Sequence, residues 1–230
     1  MSIADNLLRI RERIAEAELR AGRSAGSVRL MAVSKFHPAE SVREALDAGQ
    51  TLFGENRVQE AVEKFDPIMR DRPDTVLHLI GTLQRNKVAK IIPFASCVQS
   101  IDRLDLLVEI ERQAALRARV IDVLFEYHTG EASKSGYADC DNLFRSIDLL
   151  SGMSHVRCSG LMTMAPFTDD RAAIRESFRA LAALQRECVA RYPTLDFSML
   201  SMGMSHDFEI AIEEGSTLVR VGTAIFGERA

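Results

Sequence analysis

VRLMAVSKFHPAESVREALDAG (28–49) carries the pattern from which the fold follows. Its first eight residues form a compact apolar run that ends on Lys35. Pro38 then opens a helix whose Val42, Ala45 and Leu46 share one face, and Gly49 closes it. The unit is therefore a buried strand followed by an amphipathic helix. Working towards the C-terminus, it recurs. TLFG (51–54) leads into a helix through Val58, Ala61, Val62 and Phe65; TVLHLIG (75–81) precedes a helix over 84–92, and CVQSI (97–101) one over 103–117. VIDVLFEY (120–127) is followed by a loop and a helix near 139–150, and HVRCSGLMTM (155–164) by a long helix over 170–191. DFSML (196–200) precedes a helix over 206–214, and STLVRVG (216–222) completes the series. Towards the N-terminus, Ile3, Leu7, Ile10 and Ile14 mark a leading helix, with Ser2 or Asp5 as cap and Gly22 as stop.

Apolar runs alternating with helices, each run nearly continuous in hydrophobicity, are what a parallel sheet covered on both faces requires. The expected fold is α/β, a single (β/α)8 TIM barrel with an extra N-terminal helix. Residues 1–230 form one domain in this reading, with 1–24 as leading helix and linker. A doubly wound open sheet is the alternative, and no G-x-G-x-x-G follows the first strand to support its dinucleotide-binding version.

Composition narrows the function classes. Hydrophobic residues make up 47% of the 230 and charged ones 27%, which excludes a disordered or fibrous chain. Lys and Arg number 29 against 33 Asp and Glu, a net charge of −4 that argues against a general nucleic-acid surface. Cys97, Cys140, Cys158 and Cys188 are dispersed, without metal-ligand spacing, as in a reduced compartment. The N-terminal segment is charged every few residues and reads as no signal peptide. No apolar run approaches the roughly 20 residues of a membrane span. A cytoplasmic protein without metal, nucleic acid or membrane is expected.

In a barrel, chemistry collects where strands end. Lys35 stands there, either as a lysine reaching out to solvent or as a desolvated amine able to form a Schiff base with an aldehyde. In STLVRVGTAIFG (216–227), Arg220 lies in an apolar strand, keeps its proton, and must find an acceptor or reach the barrel mouth. Gly222 then permits close backbone approach and Thr223 offers a hydroxyl, in a loop position where barrels commonly hold phosphate. In LSMGMSHD (200–207), Ser201 and Ser205 flank Gly203, and a helix start near Ser205 suits an anion. Both halves together, opposite a strand-end lysine, point to a phosphorylated aldehyde. Asn56 either caps the next helix or faces a ligand; His78 reads as a core histidine, and Met162, Met164, Met199, Met202 and Met204 as core and rim. Glu131, Ser133, Lys134, Ser135 and Gly136 form a polar loop.

MAVSK (31–35), FGENRVQE (53–60), HLIGTLQRNK (78–87), EASKSG (131–136), GLMTM (160–164), LSMGMSHDFEIAIEEGST (200–217) and VRVGTAIFG (219–227) occur in an order that resembles the pyridoxal phosphate homeostasis proteins, the YggS/PLPBP family. The resemblance spans the chain after its first helix and implies a barrel of the alanine-racemase N-terminal-domain type holding pyridoxal 5′-phosphate. It implies Lys35 as the internal aldimine, Ser205, Gly222 and Thr223 on the phosphate with Ser201 nearby, Arg220 facing the pyridine nitrogen, and Asn56 beside the cofactor. Lys134 matches a further family position. One departure is EYHTGEASKSG (126–136), where relatives carry a short segment containing Asn, so Tyr127 and His128 are foreign to the pattern.

The resemblance implies a role in intracellular vitamin B6 homeostasis, buffering the cofactor or delivering it to apoenzymes. Arginine at the ring nitrogen weakens the cofactor as an electron sink. Racemases of this fold type use a tyrosine from a further domain, and Tyr127, Tyr137 and Tyr192 match no such segment. A carrier, and a monomer, is therefore the expectation. The alternatives are an amino-acid racemase with Tyr127 or His128 as second base, and a Schiff-base aldolase without cofactor.

Overall fold

The computed structural model describes residues 2–130 and 136–228. Among these, eight parallel strands close into a barrel in chain order: β1 (Arg29–Val33), β2 (Leu52–Glu55), β3 (Val76–Leu79), β4 (Cys97–Ile101), β5 (Ile121–Glu126), β6 (Val156–Met162), β7 (Met199–Ser201) and β8 (Leu218–Val221). Closure sets β1 against β8, pairing Met31 with Arg220 and Ala32 with Val221. The open-sheet alternative is thereby excluded, and among the described residues the barrel leaves no strand edge to pair with another chain.

Outside the barrel lie α2 (Ala39–Asp47), α3 (Val58–Asp71), α4 (Val88–Ile91), α5 (Leu104–Ala115), α6 (Cys140–Asp148), α7 (Arg171–Arg191), α8 (Phe208–Glu213) and α9 (Thr223–Phe226). Successive strand residues point to opposite faces, so each strand serves two cores. Ala32, Phe53, Leu77, Val98, Val123, Leu161, Leu200 and Val219 join helix residues such as Leu46, Phe65, Ile110 and Phe178 in the large outer core. Two small interior clusters, Met31 with Leu52 and Leu218, and Cys97 with Leu124 and Met162, fill part of the lumen.

The leading helix α1 (Ile3–Arg20) starts on a capping box, in which Asp5 N–H donates to Ser2 Oγ and Ser2 N–H donates to the Asp5 carboxylate, both at 3.1 Å. Leu7, Ile10, Ile14 and Ala17 are buried in the outer core. Asn6 Nδ2 donates to Ile225 O at 2.8 Å, tying α1 to α9. The buried Glu18 accepts from the backbone of Gly26 and Val28 and from the Ser27 hydroxyl, which orders the linker into β1.

Two expected helices differ in detail. The segment over 84–92 divides into a 3-10 turn at Arg85–Lys87 and the single α turn of α4. The segment over 206–214 becomes helical only at Phe208, because Met204 N–H donates to Asp207 Oδ1 at 2.5 Å and closes a turn ahead of α8. Among the described residues no helix is long and apolar enough to cross a membrane.

Candidate functional site

The C-terminal ends of the strands surround a cavity of about 310 Å3. Lys35 enters it from the loop after β1. Met31 packs inside the barrel and Val33 lines the cavity, so the two-residue alternation sends Lys35 inward as well. Lys35 is half-buried. Asn56 follows β2 and also lines the cavity; Arg57, not Asn56, precedes α3, and no side-chain bond caps that helix.

The opposite wall comes from the other end of the chain, through Ser205 after β7 and Gly222 and Thr223 after β8. A Cβ on Gly222 would stand 3.0 Å from Val33 O, so the absence of a side chain lets these backbones approach and keeps the cradle open. Gly203 sets the β7 loop: its φ is +95°, and a Cβ there would meet Ala211 Cβ at 2.6 Å. The turn that follows presents Ser205, half-buried, while Thr223 is exposed at the rim.

Arg220 lies between these walls. Burial draws its guanidinium down to about 10, against the opposing charges of Asp207 and Glu126, so it stays cationic at neutral pH. Nη1 donates to Ser201 O at 2.6 Å and to Ser201 Oγ at 2.7 Å, and Nη2 donates to Thr163 O at 2.8 Å. Ser201 Oγ in turn donates to Gln99 Oε1 at 2.6 Å, and Gln99 Nε2 donates to His78 Nδ1 at 2.8 Å. A polar layer from β8 through β7 and β4 to β3 thus crosses the lumen. Accepting at Nδ1 puts the His78 proton on Nε2, and burial keeps the ring neutral, its pKa drawn down to about 3.

Lys35, Asn56, Ser205, Arg220, Gly222 and Thr223 all line one cavity. Ser201 stands apart: it is fully buried below the cavity and touches Arg220 rather than the lumen mouth. Tyr127 is turned out of the barrel, its hydroxyl 3.4 Å from Cys140 Sγ, and burial pushes it up to about 12. His128 does not line the cavity, and its Nδ1 accepts from Gly130 N–H. Neither lines the cavity in which the racemase alternative would need a second base. Tyr137 and Tyr192 are likewise engaged elsewhere, donating to Ser146 Oγ and Asp148 Oδ1. Glu131, Ser133, Lys134 and Ser135 lie outside the described residues.

Sequence reasoning missed His37, Thr82 and His206, which also line the cavity. His37 follows Lys35 by two positions and His206 adjoins Ser205, so adjacency was the available signal. The His37 ring stacks on Phe226 at 5.1 Å, and burial together with the Lys64 charge lowers its pKa.

A closed barrel with a strand-end lysine and Gly222 lining one cavity fits the alanine racemase N-terminal domain class. The sequence model of the family described as "Alanine racemase, N-terminal domain" matches residues 4–230. The pyridoxal phosphate homeostasis protein of Vibrio cholerae serotype O1 is 41% identical over 231 residues, covering 99% of this chain and 97% of its own. That of Aquifex aeolicus is 39% identical over 229 residues, covering 100% and 99%. This chain belongs to the pyridoxal phosphate homeostasis protein family. Among solved structures, PipY of Synechococcus elongatus PCC7942 with PLP bound superposes with a TM-score of 0.84 at 36% identity, over 98% of this chain and 100% of PipY. Alanine racemase of Streptomyces lavendulae shares the fold, with a TM-score of 0.72 at 19% identity, over 97% of this chain and 57% of the racemase.

Proposed function

We propose that this chain binds pyridoxal 5′-phosphate in intracellular vitamin B6 homeostasis, holding it through Lys35 and buffering it or delivering it to apoenzymes. The observation that carries the reading is the single cavity in which the half-buried Lys35 meets Ser205, Gly222 and Thr223 from the far end of the chain. PipY, 36% identical along its whole length, has been solved with PLP bound.

The residues fit the cofactor. Gly222 lets its backbone approach Val33 where a Cβ would crowd Val33 O, and a cavity of about 310 Å3 suits a single-ring phosphate ester. Ser205 and Thr223 offer hydroxyl donors to a phosphate, and Arg220 a fixed positive charge behind the lumen. Arg220 donates and never accepts, so it opposes protonation of a ring nitrogen facing it. Asn56, which lines the same cavity, would lie beside the ring. When bound, the cofactor supplies an aldehyde that links reversibly to an amine, and Lys35, which lines the cavity, would offer that amine.

Carriage rather than racemisation is supported by the placement of Tyr127 on the outer face and of His128 away from the cavity. Release to a recipient requires only a competing amine or water at the mouth, where Thr223 is exposed. The cytoplasm, where the recipient apoenzymes and free thiols belong, is the compartment this reading assigns.

Borohydride reduction of the cofactor-loaded protein followed by peptide mass spectrometry tests it. One phosphopyridoxyl group on Lys35 is expected, with the label lost in Lys35→Ala while phosphate-dependent binding persists. Label scattered over surface lysines, or equal in the variant, would overturn the assignment.

A further inference from the structure

Lys35 is followed by Phe36, a non-glycine residue with φ +67°. The two peptide groups that bracket the Lys35 Cα are both tied to one helix. Before it, Ser34 O accepts from Lys64 Nζ at 2.8 Å; after it, Phe36 N–H donates to Glu60 Oε1 at 2.6 Å. Glu60 and Lys64 sit one turn apart on α3 and are joined at 3.0 Å. Lys64 Nζ also donates at 2.7 Å to Glu55 Oε1, which accepts the Ser34 hydroxyl at 2.8 Å. The Arg57 guanidinium lies 5.3 Å from the Phe36 ring centroid and covers the same turn.

A peptide plane fixed on either side of a Cα leaves the Cα–Cβ bond one direction. Lys64 is buried, so its bond to Ser34 O is shielded from water, while the charge-assisted bond from Phe36 N–H to the half-buried Glu60 closes the turn from its outer side. We propose that Glu60 and Lys64 are positioning residues that clamp the Ser34–His37 turn and aim the Lys35 amine into the cavity. They act through the backbone of Lys35 and touch no bound group. The inference rests on the functional reading above, in which Lys35 is the point of attachment.

Misaiming a reacting amine by an ångström costs up to about 100-fold in rate, whereas non-covalent phosphate binding, built from Ser205, Gly222 and Thr223, is separate from the clamp. The test compares wild type, Glu60→Ala and Glu60→Gln. Three measurements are made: the rate of pyridoxal 5′-phosphate attachment at Lys35 by borohydride trapping, the affinity for pyridoxine 5′-phosphate, which has no aldehyde, and amide exchange at Phe36 without ligand. Expected for Glu60→Ala are attachment slowed at least about tenfold, pyridoxine phosphate affinity within about twofold of wild type, and faster Phe36 exchange. Glu60→Gln keeps an acceptor for Phe36 N–H and restores most of the rate. Unchanged attachment in a folded Glu60→Ala protein overturns the clamp. So does a parallel loss of pyridoxine phosphate binding, which would mark a general collapse of the mouth. If wild type itself attaches nothing at Lys35, the functional reading fails and takes the role with it, an outcome separate from both.

Discussion

A guanidinium inside a barrel is stable only if its donors are met, and Arg220 shows how few residues that takes. Two backbone carbonyls and one hydroxyl hold it, and Ser201 supplies both a carbonyl and the hydroxyl. Ser201→Ala removes the hydroxyl alone. It leaves Gln99 Oε1 and one guanidinium N–H without a partner in a buried place, a cost of about 1–3 kcal/mol. We expect urea denaturation to show that loss in a variant that still folds, because the two carbonyls remain; unchanged stability would mean that the hydroxyl carries no load. Phe36 makes the same point for the backbone. Its left-handed φ costs about 1–3 kcal/mol, and a charge-assisted bond to Glu60 returns about 1.5–3 kcal/mol. Such residues are poorly legible in sequence, since Ser201 reads there as lying near a phosphate, and its bonds to Arg220 and Gln99 come into view only once β4, β7 and β8 face one lumen.

At the scale of strands and helices, periodicity carried most of the information. Each strand is a short apolar run because both faces are covered, and each helix shows one buried stripe, as with Val42, Ala45 and Leu46 on α2. What periodicity does not encode is the loop that follows each strand. Thr82 and His206 reach the cavity because their strands are parallel and end at one rim, and the turn ahead of α8 exists because of one carboxylate, Asp207. The interior layer joining β3, β4, β7 and β8 has its own consequence. His78 ordinarily titrates near 6.5 but inside the layer only near 3. Between those values the unfolded chain binds a proton that the folded chain refuses. Stability therefore falls as pH drops through that window, by at most about 1.4 kcal/mol per pH unit from this group. His78→Gln keeps an acceptor for Gln99 Nε2 and cannot titrate. Its acid denaturation profile should be flatter over the same window, and a slope identical to wild type would rule out His78 as a source of acid sensitivity.

For the molecule as a whole, the lining of the cavity among the described residues comes from the loops after β1, β2, β3, β6, β7 and β8, together with Val33 in β1, Met162 in β6 and Arg220 in β8. Nothing in that lining calls for a second copy, and we expect a monomer. Light scattering in the presence of pyridoxal 5′-phosphate should return a mass near 25.6 kDa; a mass twice that would assign part of the surface to an interface. The barrel closes where β1 meets β8, and Lys35 therefore shares a cavity with residues far along the chain, Ser205, Gly222 and Thr223. During synthesis Lys35 leaves the ribosome well before Ser205, Gly222 and Thr223, which face it across the cavity. A half-made chain carries the amine with no pocket around it. Under the proposed function, capture of the aldehyde at this site thus waits until β8 has been made and has joined β1.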